Sequence, residues 1–288
     1  MTRSLIPYVY LSPALIFLAL LMMVPMISVI LYSFQESAIL RPDTTFAGLK
    51  HYAAVLGDPI FWASLWHTAY FTAMSVVFHM SIGLAFALML NSDRINPKLR
   101  SVLRVLYILP WLFTAVIIAV IWRLILEPNG VVNSLLMTLN IIDTKIEWFS
   151  NPATALHAVT AANIWAGYPL FMVSLLAGLQ GIPRDLYEAA DIDGANGIQK
   201  LAFITIPQLM PIIISISLLD FIWTMHVFPL IWMTTGGGPI YATEVLSTYT
   251  YKLAFAQFDM SQAAASSVLI LIISLCFTFF YIRHQKAR

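Results

Sequence analysis

The chain has 288 residues, of which 60% are hydrophobic and only 10% are charged, whereas soluble domains carry about 25% charged residues. This difference excludes an ordinary soluble protein and predicts that lipid surrounds much of the chain. The net charge of +1 gives no basic field that would attract a nucleic acid. The single cysteine, Cys276, excludes an internal disulfide and a cysteine-type metal site, and its apolar neighbours indicate ordinary packing.

Six stretches are long and apolar enough to cross a membrane, since a span needs about 20 mostly apolar residues. Backbone polar groups in hydrocarbon must bond within their own segment, which favours helices over other structures. The first stretch is too long for the apolar core of a cleaved signal, so we interpret it as a retained helix. An all-α membrane protein with one transmembrane domain over residues 1–288 is expected, with helices at residues 10–34, 66–90, 102–126, 154–179, 208–234 and 263–282.

Lysine and arginine fall unevenly on the two sides of these six spans, with ten on the side of both termini and five on the other. Cytoplasmic loops carry the excess of positive charge, so both termini are expected in the cytoplasm. The outer segments, about 35–65, 127–153 and 235–262, are too short for a separate folded domain. A substrate-capture domain or a nucleotide-binding domain would therefore belong to another chain. The cytoplasmic side collects Arg3, Arg94, Lys98, Arg100, Arg104, Arg184, Lys200, Arg283, Lys286 and Arg288.

Catalytic motifs are missing from the sequence. The glycine-rich run at residues 235–239 has no lysine after it to reach a phosphate, so it is not a nucleotide-binding loop. Neither H-E-x-x-H nor G-x-S-x-G occurs, and the six histidines are scattered. The sequence therefore predicts neither an enzyme nor a metal site.

The segment between the fourth and fifth spans, residues 180–207, carries helix signals at both of its ends. Pro183 suits the first turn of a helix, and Asp185 and Glu188 lie near its positive end, where acids are stabilising. Gly194 suits a left-handed C-terminal cap, and a second helical stretch then runs to Pro207, where the next span is expected to begin. The sequence thus predicts a short helix on the cytoplasmic face, held by membrane helices on both sides.

The small side chains of Ala189 and Ala190 would let another protein approach this helix closely. Two interpretations remain open at this stage. The helix is either a docking lever for a partner or one of the surface helices that many membrane proteins carry in their loops.

The same segment resembles the signature loop of ABC importer permeases, whose pattern is E-A-A, three residues, G, nine residues and I-x-L-P. The chain has Glu188-Ala189-Ala190, Gly194, Ile204 and Pro207 at this spacing, and departs only at Ile206, where the family has leucine. The substitution conserves volume. The resemblance identifies the chain as a member of this family, with its type I importer permease fold.

In that family the loop is a coupling helix that docks on the ATPase subunit and transmits its closure to the pore. The resemblance therefore implies ATPase subunits, a second homologous permease and an extracytoplasmic binding protein as partners, in a bacterial or archaeal inner membrane. ATP and Mg would be bound by the ATPase, and this chain would hold no cofactor. Carried over by position, the coupling residues are Glu188, Ala189, Ala190, Asp193, Gly194, Ile204 and Pro207.

Softer motifs resemble the maltose-type sugar permeases over nearly the whole chain. They include Gly48-Leu49-x-x-Tyr52, the run at 176–195, and Thr234-Thr235-Gly236-Gly237-Gly238-Pro239 followed by Thr243-Glu244. Their order matches the family, and six spans match its shorter members. A sugar is therefore the expected substrate, while a polyamine or an oxyanion remains an alternative.

Polar residues inside the spans are candidates for the substrate pathway, because a charge near the bilayer centre costs about 2.5–3.5 kcal/mol. Asp220, Trp223 and His226 follow at three-residue steps and are expected on one flank of the fifth span. Aromatic faces beside hydrogen-bonding groups suit a sugar. Asn163 and Tyr168 form a weaker set in the fourth span. The alternative is that Asp220 makes a structural hydrogen bond between helices.

Two other classes of membrane protein fit less well. A self-sufficient secondary transporter would show inverted repeats and paired intramembrane carboxylates, whereas Asp220 is the one carboxylate clearly within a span. A membrane-embedded enzyme would need paired catalytic groups. An ATP-driven importer permease is the function that the sequence favours.

Overall fold

The computed structural model describes residues 6–36, 45–92 and 94–286. Arg3, Arg41 and Arg288, which contributed to the count of basic residues, lie outside the described residues. Within the described residues the fold is helical, and the extended backbone is limited to an isolated bridge between Gln35 and Phe46. The helices are α1 (Ile6–Tyr32), α2 (Lys50–Gly57), α3 (Pro59–Asn91), α4 (Pro97–Ile108), α5 (Ala115–Ile125), α6 (Val131–Thr138), α7 (Pro152–Gln180), α8 (Arg184–Ile192), α9 (Gly197–Lys200), α10 (Ile206–Met225), α11 (Pro229–Thr234), α12 (Leu246–Phe255) and α13 (Met260–Lys286).

Five of the described helices are long and apolar enough to cross a membrane, and a bent pair makes a sixth candidate span. The first, second, fourth and sixth predicted spans correspond to α1, α3, α7 and α13, with ends shifted by a few residues. The six-span prediction therefore agrees with the structure if the bent pair crosses the membrane once. That pair is the third span.

The third span is not the straight helix predicted over 102–126. The chain forms α4, then a 3₁₀ turn at Leu109–Leu112, and then α5, with a bend of 101° between the two halves. Pro110 causes the break, because proline lacks the N–H of a helical residue and its ring clashes with the preceding turn. Thr114 is the N-cap of α5, and its hydroxyl accepts a hydrogen bond from the backbone N–H of Ile117 at 3.4 Å.

The fifth span begins and ends earlier than the predicted 208–234. One continuous helix runs over Gly197–Met225, with a π turn at Leu201–Thr205 in which the N–H of Ile206 bonds to the carbonyl of Leu201. This wider turn precedes Pro207, which has no N–H to continue the α-helical pattern. The helix stops at Met225 because Pro229 cannot donate to the Met225 carbonyl, and α11 begins at that proline.

The chain divides into two compact units, one of Met1–Trp62 with Tyr249–Phe277 and one of Ala63–Thr248 with Thr278–Arg288. In the second unit α7 is central: half of the residues in its most apolar stretch are buried. Phe171, Met172 and Leu175 of α7 form one core with Leu90 of α3 and Leu209 of α10. The predicted single domain over residues 1–288 stays a prediction.

Candidate functional site

The predicted coupling helix forms as α8 and ends where the sequence indicated. The backbone of Gly194 has φ of +76°, and the N–H of Ala195 reaches back to the carbonyl of Ala190 at 2.9 Å. A Cβ at Gly194 would meet no atom within 4 Å. Glycine is therefore needed here for its left-handed conformation rather than for space, and the predicted cap is confirmed.

A second set of bonds fixes the turn between α8 and α9. The Asn196 side chain accepts from the N–H of Gln199 at 3.0 Å, and the Gln199 side chain accepts from the N–H of Asn196 at 2.8 Å, which makes a capping box. Lys200 pairs with Asp191 across the turn. We call residues 183–205 the coupling segment, and its conformation is set by bonds between residues close in sequence.

The coupling segment is also tied to the start of the fifth span. The hydroxyl groups of Tyr187 in α8 and Thr205 in the π turn lie 2.9 Å apart and share a hydrogen bond. Ile204 is half-buried in that π turn, and Pro207 is exposed in the first turn of α10. A displacement of α8 would therefore be carried into the continuous helix of Gly197–Met225.

The coupling segment has a surface of apolar side chains that no other described residue covers. Helix α8 has no buried residue, and Ile192, Ile198 and Phe203 are 88%, 79% and 79% exposed. Glu188 and Ala189 are exposed beside them, Ala190 is half-buried, and Asp193 is exposed at the helix end. A stiff element with large apolar groups facing outwards is typical of a protein-binding surface.

A polar cavity of about 570 Å³ adjoins α8. Arg184, Tyr187 and Glu188 line it from α8, Asn91 lines it from the end of α3, and Arg100 lines it from α4. The Arg100 guanidinium donates to the carbonyl of Ser92 at 2.6 Å, which fixes the loop between α3 and α4. The Glu188 carboxylate thus lies among hydrogen-bonding groups, where a partner's donor could reach it.

A buried polar cluster joins α3, α7 and α10. The Asp220 carboxylate lies 2.8 Å from Nδ1 of His79, and Nε2 of His79 lies 2.9 Å from the backbone carbonyl of Asn163. The Asn163 side chain donates to Ser75 Oγ at 2.9 Å, and Thr224 donates to Asp220 at 3.4 Å. All five residues are buried. Asp220 therefore makes the bond between helices that the sequence left open as one alternative.

Gly167 in α7 makes room for this cluster. A Cβ at that position would lie 2.2 Å from Cε1 and 2.3 Å from Nε2 of His79. Because the atoms in the way belong to a ring that is held on both nitrogens, the ring could not move aside without losing a bond. Gly167 is thus required for the close approach of α3 and α7.

The expectation that Asp220, Trp223 and His226 share one flank was wrong. Asp220 is buried, whereas Trp223 is 56% exposed and His226 is exposed just beyond the end of α10. Three-residue steps turn each side chain about 60° back around a helix, which carries the third residue well away from the first. Thr224, four residues after Asp220, is the neighbour that shares its flank.

Asn163 and Tyr168 also lie inside the protein rather than on one polar surface. Asn163 belongs to the buried polar cluster, and the Tyr168 ring packs against Phe86 with centroids 5.2 Å apart. His79 and Gly167 were missed by the sequence analysis. The signal for His79 was its place in the middle of the second span, where polar groups are costly and need a partner.

The profile of the family described as "Binding-protein-dependent transport system inner membrane component" matches residues 80–287. The trehalose/maltose transport system permease protein MalF of Thermococcus litoralis is 34% identical over 98% of this chain and 94% of its own length. The sulfoquinovosyl glycerol transport system permease protein SmoG of Agrobacterium fabrum is 34% identical over 97% of this chain and 90% of its own length.

The fold matches a solved membrane transporter. A chain of a bacterial ABC transporter involved in the import of the acidic polysaccharide alginate superposes with a TM-score of 0.85 at 23% identity, over 99% of this chain and 96% of that one. This likeness shows the type I ABC importer permease fold that the sequence predicted. The chain belongs to the family of inner-membrane components of binding-protein-dependent transport systems, as a permease subunit of an ABC importer.

Proposed function

We propose that the chain forms half of the pathway through which an ATP-driven importer takes up a sugar delivered by an external binding protein. The observation that carries the choice of a sugar is the likeness, over nearly the whole chain, to two permeases named for glycosides. A second homologous permease supplies the other half of the pathway. Both termini lie in the cytoplasm, as the distribution of basic residues predicts.

Helix α8 is the joint to the ATPase in this proposal. The exposed apolar face of the coupling segment supports this role. Glu188, Ala189 and Ala190 lie on α8, and Asp193 and Gly194 form the end of that helix. ATP and Mg are bound by the ATPase subunits, and this chain binds no cofactor. Closure of the ATPase dimer pushes α8, and the hydrogen bond between Tyr187 and Thr205 carries the motion past Ile204 and Pro207 into α10.

The buried polar cluster passes the motion of α10 on to the other helices of the pathway. Asp220 lies on α10, and its bond to His79 makes α3 and α7 move with α10 rather than slide past it. Directional bonds of this kind resist slippage more than apolar contacts do. Asp220 and Asn163 therefore hold the pathway's helices together, and Tyr168 packs in the core beside them.

Trp223 and His226 remain candidates for contact with the sugar. Both are exposed where α10 ends, and an aromatic face beside a hydrogen-bonding group matches the C–H faces and hydroxyl groups of a sugar. Their position at the end of a helix that α8 can move would couple sugar release to the ATPase.

Purification of the tagged chain from its native membrane tests this proposal, with mass spectrometry of the proteins that accompany it. We expect an ATPase with a phosphate-binding loop and a second permease. In liposomes, the complex should take up radiolabelled trehalose or maltose only with its binding protein and ATP. A chain that purifies alone and transports without ATP would contradict the proposal. ATP-dependent uptake of a polyamine or an oxyanion in place of any sugar would contradict the substrate alone.

A further inference from the structure

A cavity of about 320 Å³ lies in the unit of Met1–Trp62 with Tyr249–Phe277. Its walls come from the residues that follow α1, from α2, and from the turn that leads into α13, and include Glu36, Lys50, His51, Phe258 and Asp259. With the termini in the cytoplasm, the end of α1 and the start of α13 lie on the outer side of the membrane. The cavity therefore opens on the side where a binding protein delivers its solute.

His51 is the feature of this cavity that most needs an explanation. Its side chain is only 6% exposed, and its Nε2 is buried without a hydrogen-bond partner among the described residues. Buried polar atoms in native proteins almost always have a partner, because desolvation without a bond costs free energy. Because His51 lines the cavity, a group that enters the cavity is placed to supply this missing bond.

The charges in the wall favour a cation. Glu36 and Asp259 contribute two carboxylates against the one ammonium of Lys50, which leaves a net charge of −1. Lys50 donates to Glu36 and lowers the pKa of that carboxyl group, so Glu36 is ionised at neutral pH. The Asp259 carboxylate is held at the cavity by the backbone and side-chain N–H groups of Gln262 at 2.8 and 2.7 Å.

Phe258 adds an aromatic surface. Its side chain is 63% exposed, and its backbone lies in the left-handed region with φ of +57°. Aromatic residues rarely adopt this strained conformation, which is most frequent at functional positions. The N–H of Asp259, bonded to the carbonyl of Leu253 at 2.9 Å, holds the turn in place. An exposed ring beside carboxylates can lie against a cation as well as an apolar group.

We propose that this cavity receives a basic side chain, best matched by arginine, from the external binding protein. A guanidinium presents five N–H donors in one plane, enough to bond Glu36, Asp259 and the Nε2 of His51 while its face lies on Phe258. The volume suits one long side chain rather than a folded segment. This inference rests on the proposed function, since it needs a binding protein on the outer side.

The test uses the reconstituted complex with its own binding protein. The measurement is the concentration of binding protein that gives half-maximal stimulation of ATP hydrolysis. In Asp259→Asn the side-chain oxygen still caps α13 while the charge is lost, and we expect that concentration to rise about tenfold. His51→Phe keeps a planar ring and removes Nε2, and we expect a rise in the same direction.

Asp143→Asn is the matched control, because it removes the same charge from an exposed position in another predicted outer segment. A local contact predicts little change in this variant, whereas general electrostatic attraction of the binding protein predicts the same change as in Asp259→Asn. Arg41→Gln tests whether the basic side chain in the cavity comes from this chain itself rather than from the binding protein. An effect equal to that of Asp259→Asn in either variant overturns the inference.

The remaining outcomes distinguish failure of the docking site from failure of the importer function. If the wild-type complex is stimulated and both Asp259→Asn and His51→Phe leave the half-maximal concentration unchanged, the cavity is not a docking site although the importer function stands. If the binding protein does not stimulate the wild-type complex at all, the proposed function and the docking site both fail. Suppression of the Asp259→Asn defect by replacing one arginine of the binding protein with a neutral residue would identify the occupant.

Discussion

The coupling segment and the buried polar cluster are held together in opposite ways. In the coupling segment the fixing bonds join near neighbours, such as Asn196 to Gln199, and the large apolar side chains face outwards. In the buried polar cluster the bonds between helices join residues 84 to 141 positions apart, and every side chain is inside. The first arrangement makes a stiff surface that needs a partner. The second ties three helices to one another inside the protein.

This difference predicts two kinds of defect. Variants of the buried polar cluster should destabilise the protein itself, because they leave polar groups unpaired inside it. Variants of the coupling segment should leave the protein folded and lower transport, because the residues there make few contacts within the chain. A coupling-segment variant that destabilises the protein, or a cluster variant that lowers transport without destabilising it, would contradict this division.

The largest effect is expected for Asp220→Ala. It leaves Nδ1 of His79 without its partner in a buried place, and we expect the free energy of unfolding in mixed micelles to fall by about 3 kcal/mol. The double variant His79→Leu with Asp220→Leu removes both polar groups and should recover part of this loss. A double variant whose loss equals the sum of the losses in His79→Leu alone and Asp220→Leu alone would show that the pair carries no coupling.

Gly167→Ala should come next, with a loss of about 2 kcal/mol in the same measurement, since its methyl group occupies the position of the His79 ring. Gly181→Ala is the matched control at the end of the same helix, where the added Cβ would lie at 3.4 Å from its nearest neighbour. In a His79→Ala background the Gly167→Ala loss should largely vanish. Persistence of the full loss there would mean that another contact requires this glycine.

Gly194→Val tests the coupling segment. A β-branched residue at φ of +76° costs about 2 kcal/mol, so the turn should change its conformation and ATP-dependent uptake should fall about tenfold with normal complex yield. Gly197→Val is the control, because that position also has no atom within 4 Å of an added Cβ but lacks the positive φ. Equal uptake in the two variants would refute a special role for the turn at Gly194.

The smallest effect is expected for Trp223→Ala. Loss of an aromatic contact worth about 1 kcal/mol should raise the KM for sugar uptake about fivefold, with unchanged complex yield. Trp66→Ala removes another exposed tryptophan ring, from α3, and serves as the comparison. A similar rise in both variants, or in neither, would remove Trp223 from the sugar pathway.

The coupling segment could be predicted from the sequence because residues close together in the chain determine its structure. Pro183, Gly194 and the E-A-A frame each act within a few residues, so the helix and its cap were predicted correctly. The bend at Pro110 and the π turn before Pro207 were missed, since a proline in an apolar stretch does not say whether a helix breaks, kinks or widens. The pairing of His79 with Asp220 depends on how distant helices pack, which no local pattern records.

The directions of the side chains on α10 also depend on packing that the sequence does not record. Regular spacing placed Asp220, Trp223 and His226 on one helix, but their burial depends on which neighbours cover α10 and on where that helix ends. The break before Pro229 leaves His226 outside the helix. A sequence can therefore predict that an intramembrane carboxylate needs a partner, while the identity of the partner needs the fold.

Cross-linking from α8 shows whether this helix docks on an ATP-binding subunit. Cys276 is the single native cysteine, so Ala189→Cys in a Cys276→Ser background places one reactive thiol on the exposed face of α8, and Asp143→Cys places one on a predicted outer segment. In native membranes, a bifunctional thiol- and amine-reactive reagent should join Cys at 189 to an ATP-binding subunit and should not join Cys at 143 to it. Linkage from 143 but not from 189, or no ATP-binding subunit linked to α8 at all, would show that α8 does not dock on the ATPase.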